Sequence, residues 1–146
     1  MQLKTCSYRA IVRSSGIFDI ILMLPFAIPG VAAWTISQIG TLHYSLNLSG
    51  NMPEFSPFHL LFVNLMAIIT IVWSSLRVIT PSAQYGNYDT LARIFIAATM
   101  VIYLLAYNVS EILWLFVMVE VTWTVLQINA YFFKNQNREG VQAAAV

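Results

Sequence analysis

Residues 110–133 read SEILWLFVMVEVTWTVLQINAYFF, a run of lipid-compatible side chains with Glu120 near its middle. About 20 consecutive apolar residues carry a helix across a bilayer core, and this stretch has that length. A charge at mid-depth costs from ~2.5 to more than 10 kcal/mol by different measures, so such groups face the protein interior and take partners. Glu120 therefore requires shelter from other helices.

The rest of the chain has the same character. Of its 146 residues 59% are hydrophobic and 9% charged, against about 25% charged in soluble domains. That composition defines a membrane protein, and the length gives one domain, 1–146. A net charge of +1 provides no basic face for phosphates, which excludes nucleic acid as a partner. The single cysteine, Cys6, rules out an internal disulfide, a CxxC pair and a thiolate metal cluster. The two histidines, His43 and His59, are too few for a bis-His haem beside any other His-based site. No metal and no cofactor is expected.

Four spans follow from the hydrophobic runs, at about 16–36, 57–79, 89–107 and 110–133, with a tail at 134–146. The first is read as a membrane helix and not as a signal peptide, because Asp19 falls inside it and it outruns an ordinary h-region. Pro25 and Pro29 kink it, each obstructing the carbonyl four residues earlier, and carbonyls freed in lipid need other partners. The stretch 37–56 lacks Lys and Arg and is read as a loop, with Trp34, His43 and Tyr44 as interfacial anchors. Pro57 opens the second helix, and Asp89 is expected to open the third as its cap or first-turn acid. The fold class is thus an all-α bundle of four transmembrane helices. Lys4, Arg9, Arg13, Arg77, Arg93, Lys134 and Arg138 then fall on one side. The positive-inside rule puts both termini in the cytoplasm of a multi-pass plasma (inner) membrane protein.

Two polar constellations result. Asp19, Arg77, Asp89 and Arg93 lie near the cytoplasmic boundary as a structural ion cluster, with Asp19 expected to pair with Arg77 or Arg93. The competing fate is that the arginines snorkel to lipid phosphates. The second constellation is Glu120, with Thr124, Gln127 and Tyr131 roughly on its face at 100° per residue. Asn64 and the Pro25–Pro29 break lie at similar depth. A neutral Glu120 is expected to donate to a freed carbonyl or to Asn64. Asp19 and Glu120 differ in depth by about two helical turns, so no joint site is expected. Tyr103, with Thr99, Tyr107 and Trp73, offers an aromatic-polar pocket. Glu111, Thr122 and Asn129 fall close to the opposite face of the last helix, suited to a membrane protein partner or a second copy of the chain.

The run 77–93, RVITPSAQYGNYDTLAR, is the stretch best suited to a family signature. In plan the chain resembles the small four-helix bacterial membrane proteins of the DoxX-like group: both termini inside, one-domain length, an arginine shortly before helix one. The resemblance implies a four-helix bundle and an association with quinone-linked or redox complexes, and it transfers no residue roles. No phosphate-binding glycine loop, nucleophile elbow or metal-ligand spacing occurs, which weighs against an enzyme. The first expectation is a non-enzymatic accessory or assembly subunit of a membrane complex. The alternatives are a binder or carrier of a small lipophilic or cationic ligand using Glu120, and a quinone- or lipid-linked enzyme.

Overall fold

A computed structural model describes the backbone of residues 8–143 and the side chains of residues 8–132. Lys4 and Cys6 lie outside the described residues, as do residues 144–146 of the tail and the side chains of Lys134 and Arg138. Five helices follow one another: α1 (Tyr8–Ala27), α2 (Val31–Ser45), α3 (Pro57–Ile79), α4 (Ala83–Ala106) and α5 (Leu113–Ala143). Four are long and apolar enough to cross a membrane: α1, α3, α4 and the Leu113–Phe132 part of α5. By that measure this is an all-helical, multi-pass membrane protein. Its lipid-facing surface is apolar, as at Ile21 and Leu105, which are 69% and 77% exposed.

The boundaries depart from the sequence expectation at three places, each for a local reason. The first span is two helices. Pro25 sits in the last turn of α1, and Ile28, preceding Pro29, is biased away from helical backbone. Gly30 takes φ +84°, where an L side chain is strained. The chain then re-enters helix as α2, which absorbs the first half of the expected 37–56 loop. At α4 the cap is Ser82, whose Oγ accepts from the Tyr85 N–H at 3.2 Å. Asp89 therefore lies well inside the helix and does not open it. At α5 the start is delayed to Leu113 because Ser110 is held in the preceding link, and the helix continues to Ala143. α3 starts at Pro57 behind a Ser56–His59 capping box, the arrangement that fills orphan donors at a helix start.

The helices pack as two antiparallel pairs, α1 on α3 and α4 on α5, joined where α1 meets α5 and α4. Without a hydrophobic drive in lipid, close approach of backbones is what small residues allow. A Cβ on Gly16 would lie 2.9 Å from the Ser74 carbonyl, and one on Gly86 2.7 Å from Val12 Cγ2. Tyr8, Val12 and Ala130 form the apolar core at the end of the bundle that carries the termini. At the opposite end, the α2–α3 loop is fastened to the α4–α5 link. Asn51 N–H donates to the Asn108 carbonyl at 2.9 Å, and Ser110 N–H to the Asn51 carbonyl at 3.2 Å. Between these two joints the pairs stand apart and leave a cavity.

Candidate functional site

Five ionisable side chains from four helices converge inside the bundle. Asp19 comes from α1, Arg77 from α3, Asp89 and Arg93 from α4, and Glu120 from α5. Arg77 is fully buried. Its Nη1 donates to Ser15 Oγ at 3.0 Å and forms an ion pair with Asp89 Oδ2 at 2.7 Å, and its Nη2 donates to Asp19 Oδ2 at 2.6 Å and Ser74 Oγ at 2.7 Å. Arg93 uses Nε on Asp89 Oδ2 at 2.9 Å, Nη1 on Glu120 Oε2 at 2.7 Å, and Nη2 on Asp19 Oδ2. Charges at this depth persist only when paired and hydrogen-bonded, and the two planar guanidiniums suit several carboxylates at once. Arg77 Nε is buried without a partner.

Neutral groups complete the network. Gln127, fully buried, donates from Nε2 to Asp89 Oδ2 at 2.7 Å and to Ser15 Oγ at 3.1 Å. Thr90 Oγ1 donates to Gln127 Oε1 at 2.6 Å, and Trp73 Nε1 to Asp89 Oδ1 at 3.4 Å. Asp89 is thereby gripped on both oxygens. Asp19 and Glu120 are each held through one oxygen only, and their side chains remain 13% and 19% exposed.

The sequence placed these groups in two constellations; the structure makes them one. Arg93 bridges Asp19 and Glu120, which the depth estimate had kept apart. The estimate failed because α1 starts eight residues earlier than read, which sets Asp19 three turns into its helix, and because Arg93 is long enough to reach both carboxylates. Glu120 is bonded neither to Asn64 nor to the chain break. Asn64 Nδ2 instead donates to the Phe26 carbonyl at 2.7 Å, in the turn that the prolines and Gly30 leave without its helical donor. Thr124, one turn from Glu120, is half-buried outside the hydrogen-bonded set. Tyr103 stacks on Tyr107 with centroids 4.8 Å apart, and both are exposed with Thr99 on the outer face of α4, away from the cluster.

On the expected partner face, Glu111 accepts from the Ser49 N–H at 3.1 Å and Thr122 bonds the Met118 carbonyl of its own helix at 2.7 Å. Asn129 is exposed. His43, expected as an interfacial anchor, is buried and bonds Ser110 Oγ at 2.7 Å, whereas Trp34 and Tyr44 of the same helix are exposed. Sequence reasoning missed Ser15, Ser74 and Thr90. The available signal was helical spacing: Ser15 is one turn before Asp19, and Ser74 one turn before Arg77. Among the described residues no group of three or more His, Cys, Asp or Glu is arranged to hold a metal ion.

Cavities flank the cluster on two sides. Toward the loop end lies an apolar space of about 580 Å³, walled by Met23 and Phe26 of α1, Val63 and Met66 of α3, Met100 of α4 and Phe116 of α5. Met23 is one turn beyond Asp19 and Phe116 one turn before Glu120, so the carboxylates lie about 6 Å below this lining along the helices. Toward the termini a groove of about 470 Å³ is lined by Tyr8, Thr90 and Gln127 and opens outward past the exposed Leu91, Ile94 and Phe132 of α4 and α5. Gln127 thus borders this groove and holds Asp89. Comparison with family models, with curated proteins and with solved structures finds no match to this chain. The class of protein rests on its own residues: a multi-pass helical membrane protein with a buried five-membered ion network.

Proposed function

We propose that this protein binds and carries a small lipophilic molecule between its two helix pairs, without chemistry on it. The observation that supports this most is the apolar cavity of about 580 Å³ one turn from Asp19 and Glu120, a volume within the ~300–1,000 Å³ typical of small-molecule sites. Its walls come from all five helices and the α2–α3 loop, and Met23 and Phe116 of its lining each stand one helical turn from a carboxyl group of the network, Asp19 and Glu120. The accessory-subunit reading rested on the second polar face of α5. Glu111 lies in the link before α5 and is bonded to Ser49, and Thr122 bonds its own helix, which leaves the exposed Asn129 as what remains of that face.

In this reading the termini face the cytoplasm of the plasma (inner) membrane, supported by exposed Arg9 and Arg13 at that end. Arg77 and Arg93 contribute nothing to that rule, being neutralised inside the network. The likeness to the DoxX-like group supports membrane residence alone. The test is binding of a neutral naphthylamine dye to the protein in lipid nanodiscs, with protein-free nanodiscs as blank. Saturable binding at about one site per chain is expected, weakened more than about tenfold by Val63→Trp, which fills the cavity. Binding no greater than the blank, or unchanged by Val63→Trp, would overturn the reading.

A further inference from the structure

The charges of the network do not balance. Asp19, Asp89 and Glu120 supply three carboxylates against the two guanidiniums of Arg77 and Arg93, which leaves one negative charge in excess when all are ionised. That excess is not evenly shared. Asp89 receives Arg77, Arg93 and Gln127 on Oδ2 and Trp73 on Oδ1. Asp19 receives both arginines on Oδ2. Glu120 receives a single donor, Arg93, on Oε2. Facing it are Asp19 from α1, Asp89 and Arg93 from α4, and Arg77 behind them from α3; on α5 itself Trp123, Thr124 and Gln127 bring no charge. The uncompensated charge therefore resides at Glu120, the carboxylate one turn from the apolar cavity wall at Phe116. An excess negative charge at that depth is costly, and something must neutralise it in every state of the protein.

We infer that the ligand of this cavity is a lipophilic monocation, and that it exchanges one for one with a proton on Glu120. The inference rests on the cavity being the ligand site. The apolar walls receive the hydrophobic body, and the charge of the ligand lies toward Glu120, which has one guanidinium where Asp19 has two. In the empty site a proton occupies Glu120; on loading, that proton leaves to water as the cation arrives, so the interior keeps the same net charge. A neutral molecule of equal size fills the same space without releasing a proton. Two cations, or a dication, would leave the network positive and are disfavoured.

The experiment compares tetraphenylphosphonium with neutral triphenylphosphine oxide on the detergent-solubilised protein. Binding is followed by quenching of the native tryptophans, Trp73 and Trp123 flanking the cluster, and protons by an indicator dye in weak buffer. The expected result is release of about one proton per phosphonium bound, none for the oxide, and phosphonium affinity rising up to about tenfold per pH unit over the range where Glu120 holds its proton. E120Q, checked for helical content by circular dichroism, should release no proton and lose that pH dependence. If both probes bind saturably and equally with no proton released, the exchange is wrong while the cavity stands. If neither binds saturably, the cavity reading falls as well. Should E120Q fail to fold, the pH series on the unaltered protein still decides between these results.

Discussion

Arg93 spends three nitrogens on three carboxylates from three helices, so its removal differs in kind from the loss of a surface ion pair. Breaking a buried pair by deleting one partner costs about 3–5 kcal/mol, because the other charge is left uncompensated. Arg93→Met is expected to lower the thermal midpoint in detergent sharply. Arg93→Met with Glu120→Met should recover part of that loss, since the orphaned acid goes with its cation. Thermal unfolding of the two single variants and the double gives the coupling directly, and strict additivity would show that the two side chains do not share a contact. At this scale the sequence was partly legible. An acid within an apolar span announces a buried partner, and Asp89 and Arg93 stand four residues apart, the spacing of a same-face ion pair. Which cation Glu120 takes was not legible, because side-chain reach and helix offset decide it, and neither is written in residue spacing.

Among the helices, the fold depends on where each is interrupted and how closely they approach. The α1–α2 break was visible as Pro25, Pro29 and Gly30, but reading it as a kink in one helix hid α2. The decisive feature was the positive φ of Gly30, a tertiary choice that the dipeptide alone does not compel. Asn64→Ala removes the donor to the Phe26 carbonyl and should cost about 1–3 kcal/mol, the penalty of an unsatisfied buried acceptor. Its effect should be confined to stability, leaving the charge network intact; a changed proton release in N64A would contradict that separation. Gly86→Ala places a methyl against the Tyr8 hydroxyl and 2.7 Å from Val12 Cγ2. Overpacking of this kind costs about 1–3 kcal/mol, so the thermal midpoint should fall. A stability equal to the parent would show that α1 and α4 do not meet as described. The late start of α5 and the early start of α4 were illegible for one reason: Ser82 and Ser110 each bind a nearby N–H, and neither stood out among the other serines.

Over the whole molecule, the hydrophobic runs were enough for the number of spans and the fold class, because length and apolarity of helices are one-dimensional properties. The pairing of α1 with α3 and α4 with α5, and the cavity between the pairs, depend on side-chain volumes meeting across helices. The polar network and the fastened loops hold the pairs together at two levels, and the cavity is what remains between them. Its occupancy is the central claim. It is tested most directly by photolabelling the protein in nanodiscs with a neutral aryl-diazirine probe and mapping the modified residues by mass spectrometry, with and without excess unlabelled competitor. Competitor-sensitive labelling is expected at the half-buried Met23, Val63, Met100 and Phe116, which line the cavity, and competitor-insensitive background at the exposed Phe95 and Leu105. Labelling spread evenly over the outer faces, with the cavity residues unmodified or indifferent to competitor, would contradict it.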